Sequence, residues 1–177
     1  PAMLRHAAEF LDLPKTMFVV SSKSGTTLET RSHFDYYWEQ VGGQGEQFAA
    51  VTDPGSALEQ LAHERGMRVF AGEPTIGGRY SALSAFGLVP AALMGLDLDR
   101  ILDGAVRMAE DCRGSDSPGL HLGLELGEGW EAGRDKVCIA DTPGSFGLWA
   151  EQLIAESTGK HGKGLVPAPG EPSDGPD

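Results

Sequence analysis

Short apolar runs alternate with amphipathic segments along most of the chain. Four runs rich in valine, alanine or phenylalanine are typical of buried β-strands and lie at 16–21, 48–52, 68–71 and 137–140. Apolar residues that recur every three or four positions predict helices at 3–11, 26–40, 57–66, 101–113, 120–126 and 147–157. This alternation favours an α/β fold in which helices flank a parallel sheet.

Two segments depart from this alternation. Residues 80–94 are almost wholly apolar, which predicts a helix buried at the centre of the fold. Residues 166–177 are rich in proline, glycine, serine and acidic residues, which is typical of a disordered tail or linker. The preceding residues, 1–165, have the ordinary size of one domain.

The turn after the first predicted strand concentrates hydrogen-bond donors. It carries five hydroxyl side chains between positions 21 and 27, together with Lys23 and Gly25. Ligands of α/β sheets bind beyond the carboxyl ends of the strands, and the unpaired N–H groups of a helix N-terminus favour an anion. The turn therefore predicts a phosphate site. The alternative is a helix N-cap, which needs only one such hydroxyl.

Two further groups of residues are candidates for chemistry. Arg79 follows Gly77 and Gly78 at the start of a predicted helix, where the helix dipole disfavours a cation. Gln152 and Glu156 are four residues apart, so they share one face near the end of the last predicted helix. The alternative for Arg79 and for Glu156 is an ordinary solvated side chain.

Net charge, apolar run length and the spacing of cysteines and histidines argue against several kinds of partner and cofactor. The net charge of −12 over 177 residues disfavours binding to nucleic acids and to anionic membranes. No apolar run approaches the ~20 residues that span a bilayer, and no signal peptide is evident, so we expect a cytoplasmic protein. Cys112, Cys138 and the five histidines show no metal-ligand spacing, so neither a metal nor a cofactor is expected.

Three stretches, in order and spacing, resemble the phosphoglucose isomerase family. They read SKSGTTLET at 22–30, GGRYS at 77–81 and QLIAESTGK at 152–160. The middle stretch continues as SAFGLVPAAL at 84–93. Over this length it is most similar to bacterial isomerases, including the isomerase part of transaldolase–isomerase fusions and dual phosphoglucose/phosphomannose enzymes. The resemblance implies a sugar isomerase (SIS) domain over 1–165, with a flavodoxin-like, three-layer α/β/α architecture. It would be the second of two such domains in a larger enzyme.

The resemblance also implies an activity, the interconversion of glucose 6-phosphate and fructose 6-phosphate through an enediolate, without a cofactor. Glu156 would move the proton between C1 and C2, Arg79 would stabilise the enediolate, and Gln152 would contact the substrate. The phosphate-binding residues would be Ser22, Lys23 (through its backbone N–H), Ser24 and Thr27. A complete enzyme would be a homodimer.

The chain also departs from the family pattern. The ring-opening histidine and a lysine that lie beyond the catalytic helix have no counterpart here, and the first residue is Pro1 rather than methionine. We therefore expect a piece of a longer enzyme that folds and binds sugar phosphate weakly but isomerises poorly. The alternative is a non-catalytic SIS module that senses a sugar phosphate, which would need the Ser22 turn but neither Arg79 nor Glu156.

Overall fold

The chain divides into two compact units in a computed structural model that describes residues 2–140 and 146–171. The N-terminal unit comprises residues 1–103, and the C-terminal unit comprises residues 104–177. The division falls within one helix, Leu98–Asp111. A single domain over 1–165 therefore stays a prediction.

The described residues form seven α-helices and five β-strands. The helices are α1 (Ala2–Phe10), α2 (Leu28–Gln40), α3 (Ala57–Glu64), α4 (Ala85–Leu93), α5 (Leu98–Asp111), α6 (Pro118–Glu131) and α7 (Phe146–Thr158). The strands are β1 (Phe18–Ser21), β2 (Phe48–Thr52), β3 (Arg68–Ala71), β4 (Lys136–Ile139) and β5 (Val166–Pro169). The four predicted strands are confirmed within two residues at each end, which is the usual uncertainty of strand boundaries.

The N-terminal unit contains a three-stranded parallel sheet with the strand order β1-β2-β3. Every residue of β2 is buried, because β2 has a neighbour on each side and helices pack over the sheet. Phe48 stacks on Phe18 at 5.1 Å between ring centroids and meets the edge of Phe34 at 5.4 Å. A continuous apolar run is the expected sequence of such a central strand.

One hydrophobic cluster forms the core of this unit. Its buried members come mainly from α2, α3 and the sheet, and they are Val20, Phe34, Phe48, Ala50, Leu58, Leu61, Ala62 and Met67. The cluster fixes the sheet against its helices, so the turns at the carboxyl ends of the strands start from a rigid base.

The C-terminal unit contains a two-stranded parallel sheet, β4-β5, against which α7 packs. The prediction of a disordered tail or linker from residue 166 was wrong for β5. The backbone N–H of Val166 donates to the Asp135 carbonyl oxygen, and that of Gly170 donates to the Ile139 carbonyl oxygen. Pro167 and Pro169 occupy the alternate positions of β5, where an N–H group would point away from β4. Proline therefore costs β5 no ladder hydrogen bond.

The prediction of one central buried helix over residues 80–94 was also wrong. Residues Gly78–Leu83 form a 3-10 turn, and α4 begins only after Ser84. The Ser84 hydroxyl accepts a hydrogen bond from the Phe86 N–H at 3.3 Å and so caps the new helix. No residue of α4 is fully buried, and Leu93 is 60% exposed.

The fold class itself is confirmed as α/β, with parallel sheets flanked by helices. Cys112 and Cys138 are both free thiols, and both are exposed. Among the helices of the described residues, none has the length and apolar character that a bilayer crossing requires.

Candidate active site

The Ser22 turn (residues 22–27) leaves the carboxyl end of β1 and begins beside β2. The N–H of Ser22 donates to the carbonyl oxygen of Val51 at 3.0 Å, which extends the pairing of the two strands by one residue. Ser22 is buried, whereas Ser24 and Thr26 are exposed. The turn is therefore anchored at its start and open to solvent at its tip.

Hydroxyl groups order the interior of the turn. The Ser22 Oγ accepts a hydrogen bond from the Gly25 N–H at 3.1 Å and lies 3.4 Å from the Thr27 Oγ1. The Ser24 Oγ and the Thr26 Oγ1 are 2.7 Å apart. Each hydroxyl retains further donor or acceptor capacity, so the group can also bind the oxygens of an anion.

Gly25 allows the turn to pack closely. Its φ of +73° lies in the left-handed region, and a Cβ at this position would collide with the backbone nitrogen of Leu58 at the start of α3. The turn is thus held between the end of β1 and the beginning of α3, a geometry that a larger residue would disrupt.

The N-terminus of α2 presents unpaired donors just beyond the turn. Thr27 is the N-cap residue, yet its side chain makes no capping hydrogen bond. Within residues 2–140 and 146–171, no group accepts a hydrogen bond from the N–H of Leu28, Glu29 or Thr30. These donors and the helix dipole favour an anion. The alternative, a helix N-cap, does not explain the Thr27 hydroxyl, because that hydroxyl does not cap α2.

Lys23 directs its ammonium group toward the ends of the other two strands. Its Nζ lies 2.7 Å from the Asp53 Oδ2, donates to the Glu73 carbonyl oxygen at 3.2 Å and stands 5.3 Å from the centre of the Phe86 ring. Asp53 follows β2 and Glu73 follows β3. The lysine therefore links the carboxyl ends of all three strands.

The carboxylate of Glu73 is hydrogen-bonded to Thr75 in the loop that follows β3. Hydrogen bonds from the Thr75 hydroxyl and the Thr75 N–H hold the pKa of Glu73 below its ordinary value of 4.5, and the nearby Lys23 charge acts in the same direction. Both Thr75 donors reach the same carboxylate oxygen, at 2.7 Å and 3.1 Å. The Glu73 side chain is thus ionised at neutral pH, and it orders the loop after β3 locally.

The stretch that carries Arg79 lies beside the Ser22 turn. A Cβ built on Gly78 would be 3.8 Å from the Lys23 Cδ, so the backbone of Gly78 passes close to the lysine. Ser81 is buried and its hydroxyl donates to the Gly78 carbonyl oxygen at 2.7 Å, which fixes the 3-10 turn. Arg79 itself is exposed and makes a contact of its own.

Gln152 and Glu156 lie in the C-terminal unit, on α7. The Gln152 Nε2 donates to the Glu156 Oε1 at 3.3 Å, and both side chains are exposed, so the predicted shared face is present. The helix ends two residues later, where the Thr158 Oγ1 donates to the Ile154 carbonyl oxygen at 2.8 Å. The carboxylate therefore stands at the last turn of α7.

Comparison with known proteins identifies the family. The family model of phosphoglucose isomerase matches residues 2–117, a range that includes the Ser22 turn and Arg79. The chain belongs to the phosphoglucose isomerase family.

Individual relatives agree with this family. A probable glucose-6-phosphate isomerase of Haloarcula marismortui is 36% identical over 95% of the chain, which covers 41% of that protein. A glucose-6-phosphate isomerase of Rubrobacter xylanophilus is 34% identical over 94% of the chain and 42% of that protein. The chain thus spans about two fifths of the length of these relatives.

Solved structures share the fold. A hypothetical protein of Thermus thermophilus has a TM-score of 0.86 and 28% identity, over 96% of this chain and 44% of that one. A glucose-6-phosphate isomerase of Chlamydia trachomatis has a TM-score of 0.80 at 24% identity, over 96% of this chain and 37% of that one.

The predicted site of this family member falls into two groups. Within the N-terminal unit, the structure brings the predicted phosphate residues of the Ser22 turn together with the backbone that carries Arg79. Gln152 and Glu156 form a second group within the C-terminal unit. A single cleft that joins both groups stays a prediction.

Sequence reasoning missed Asp53 and Gly72 beside the phosphate turn. Each is the first residue after its strand, so each lies at the edge where α/β sheets bind ligands. Their position directly after a predicted strand was the sequence signal that could have identified them. Across residues 2–140 and 146–171, no cluster of three or more His, Cys, Asp or Glu side chains is placed to hold a metal ion.

Proposed function

We propose that this chain is the part of an aldose–ketose isomerase that carries the substrate phosphate site and the catalytic base. The substrates are glucose 6-phosphate and fructose 6-phosphate, which are interconverted through an enediolate. The observation that carries the proposal is the approach of Gly78 to Lys23, which puts the Arg79 stretch beside an anion-binding turn. Membership of the phosphoglucose isomerase family and the names of the relatives support the same reaction.

The Ser22 turn holds the phosphate in this proposal. The hydroxyls of Ser22, Ser24 and Thr27, the backbone N–H of Lys23 and the N-terminus of α2 supply uncharged donors. A phosphate that is bound away from the reacting carbons orients the open-chain sugar and contributes binding energy to the transition state. The strong negative charge of the chain, −12, makes such local donors necessary.

Arg79 and Glu156 perform the chemistry. The Glu156 carboxylate accepts the proton from one carbon of the C1–C2 pair and returns it to the other, with the enediolate between the two steps. The guanidinium of Arg79 stabilises the negative charge that develops on the enediolate oxygens. Gln152 contacts the substrate and holds the carboxylate through its 3.3 Å hydrogen bond.

The complete protein is a cytoplasmic homodimer in this proposal, with a sugar phosphate as its substrate and neither nucleic acid nor membrane as a partner. The isolated chain binds the sugar phosphate but isomerises poorly, because it covers about two fifths of its relatives. A ring-opening group would come from outside this chain. A fused transaldolase stays a prediction.

The test is a coupled assay for conversion of fructose 6-phosphate to glucose 6-phosphate by the complete protein that carries this chain. Glu156→Gln should lower kcat by about 10²- to 10⁴-fold, because it removes the base and keeps the shape of the side chain. Glu151→Gln, an exposed glutamate on the same helix, is the matched control and should retain activity. Equal activity of the wild type and the Glu156→Gln variant would refute the role of Glu156.

A sugar-phosphate sensor is the rival function. It would bind fructose 6-phosphate at the Ser22 turn without turnover, and Arg79→Ala and Glu156→Gln would leave binding unchanged. Binding by the complete wild-type protein with no detectable isomerisation would favour that rival.

A further inference from the structure

The carboxyl ends of β1, β2 and β3 meet in a compact cluster of Lys23, Asp53, Gly72 and Phe86, which we name the strand-end cluster. We propose that Asp53 is a positioning residue for the phosphate turn and acts on it through Lys23. The inference rests on the proposed function, in which the Ser22 turn binds the substrate phosphate.

The ion pair holds the side chain of Lys23 away from the role of an anion ligand. The Lys23 Nζ lies 2.7 Å from the Asp53 Oδ2 and 2.9 Å from its Oδ1, and the two side chains are only 28% and 18% exposed. A third contact runs to the Glu73 carbonyl oxygen at 3.2 Å. The ammonium group is therefore neutralised and occupied by protein oxygens.

The backbone of Lys23 is held from the same side. Its carbonyl oxygen accepts hydrogen bonds from the Asp53 N–H at 3.3 Å and from the Thr52 Oγ1 at 3.2 Å. Because a trans peptide is planar, the N–H of Ser24 points opposite to that carbonyl, away from β2. No described residue accepts a hydrogen bond from the Ser24 N–H, so this donor is held ready for a ligand.

Close packing confines the Asp53 carboxylate. A Cβ on Gly72 would lie 2.5 Å from the Asp53 Oδ1 and 2.5 Å from the Phe86 Cε2, so the backbone that leaves β3 fills the space behind the carboxylate. This packing restricts the Asp53 side chain, while its carboxylate pairs with the Lys23 ammonium group and its backbone N–H donates to the Lys23 carbonyl oxygen.

Two roles for Lys23 make opposite predictions for Asp53. If Asp53 positions the turn, its loss weakens phosphate binding, and loss of the Lys23 ammonium weakens it equally, because both changes release the same turn. If the Lys23 ammonium is itself the phosphate ligand, loss of Asp53 frees a cation and strengthens binding.

The experiment compares Asp53→Asn, Lys23→Met and the double variant in the complete protein. We measure kcat and KM for fructose 6-phosphate and the affinity for inorganic phosphate by equilibrium dialysis. Each single variant should raise KM and the phosphate Kd by about tenfold, and the double variant should add little to either. A merely structural loss would lower the active fraction, and therefore kcat, while KM stays constant.

A matched control is the exposed ion pair between Lys15 and Asp12, whose charged atoms are also 2.7 Å apart. Asp12→Asn should leave KM and the phosphate Kd unchanged. The proposal is overturned if Asp53→Asn behaves like Asp12→Asn, or if it tightens phosphate binding.

Failure of the proposed function is recognised separately. A wild-type protein that binds inorganic phosphate but does not isomerise would refute the enzyme assignment, and the phosphate Kd of the Asp53→Asn variant would still decide the positioning role. A wild-type protein that binds no phosphate would overturn both.

Discussion

The two units of the chain are built differently, and each carries one group of the proposed site residues. The N-terminal unit has a sheet whose central strand is wholly buried and a cluster of eight buried apolar side chains. The C-terminal unit has a two-stranded sheet, and Ala150 is the one buried apolar side chain among its described residues. The phosphate turn therefore belongs to the unit with the larger buried core, and Glu156 belongs to the unit with the smaller one.

The largest expected difference between the units concerns stability. Phe48→Ala should lower the free energy of unfolding by about 3–5 kcal/mol, because this side chain is almost fully buried among aromatic rings. Trp149→Ala, at a position 48% exposed in the C-terminal unit, should cost less than about 1 kcal/mol in the same chain. Urea denaturation of the purified chain measures both. Equal costs would contradict the contrast between the units.

Replacement of a turn glycine should show how tightly the phosphate turn is packed. Gly25→Ala should cost about 2–4 kcal/mol and abolish phosphate binding, because it adds a collision with Leu58 to the strain of a positive φ. Gly55→Ala is the matched control: its φ is +78°, but no atom lies within 4 Å of the added Cβ. It should cost about 1 kcal/mol.

The result would be read from urea denaturation together with equilibrium dialysis against inorganic phosphate. Similar losses in the two glycine variants would mean that backbone strain alone matters and that the packing of the turn against α3 does not.

A third prediction concerns the proline-containing strand of the C-terminal unit. Ala168→Pro should destabilise this unit by about 1–3 kcal/mol, because it removes the N–H of residue 168, which the alternation with Val166 and Gly170 directs toward β4. Pro167→Ala should change stability by less than about 1 kcal/mol, since position 167 donates nothing to β4. Thermal unfolding followed by circular dichroism compares the two, and a larger loss for Pro167→Ala would refute the register.

The smallest effect is expected at Glu73. Its pKa is lowered in the folded state, so its ionised form stabilises the loop at pH values above 4.5, and this contribution is lost as the pH falls through the lowered pKa. Thr75→Val removes the main cause and should move the pKa of Glu73 back toward 4.5. Titration followed by NMR measures the shift. Thr16→Val is the control and should leave the pKa of Glu73 unchanged, because the Thr16 hydroxyl donates to the Asp12 carbonyl oxygen.

The sequence was a reliable guide wherever local pattern decides structure. The run Phe48–Thr52 is continuous and apolar, so it could only be a strand or a buried helix segment, and its length favoured the strand. The hydroxyl-rich turn was recognisable because it directly follows a strand, where α/β folds bind ligands. These features depend on neighbours in sequence.

Features that depend on distant partners were missed or misjudged. β5 looked like a tail because its prolines are acceptable only in register with β4, which lies thirty residues earlier. The apolar stretch 80–94 was expected to be buried, yet composition does not reveal that Ser84 caps a new helix. The pairing of Lys23 with Asp53 likewise joins positions thirty residues apart, and only the sheet brings them together.

The central claim is that one sugar phosphate is held by the Ser22 turn and acted on by Glu156. A crystal structure of the complete protein with bound fructose 6-phosphate tests it most directly. We predict that the phosphate oxygens accept hydrogen bonds from the Ser22 turn and the N-terminus of α2, with a Glu156 oxygen about 3 Å from C1 or C2. A phosphate bound elsewhere, or a sugar beyond the reach of Glu156, would contradict the account.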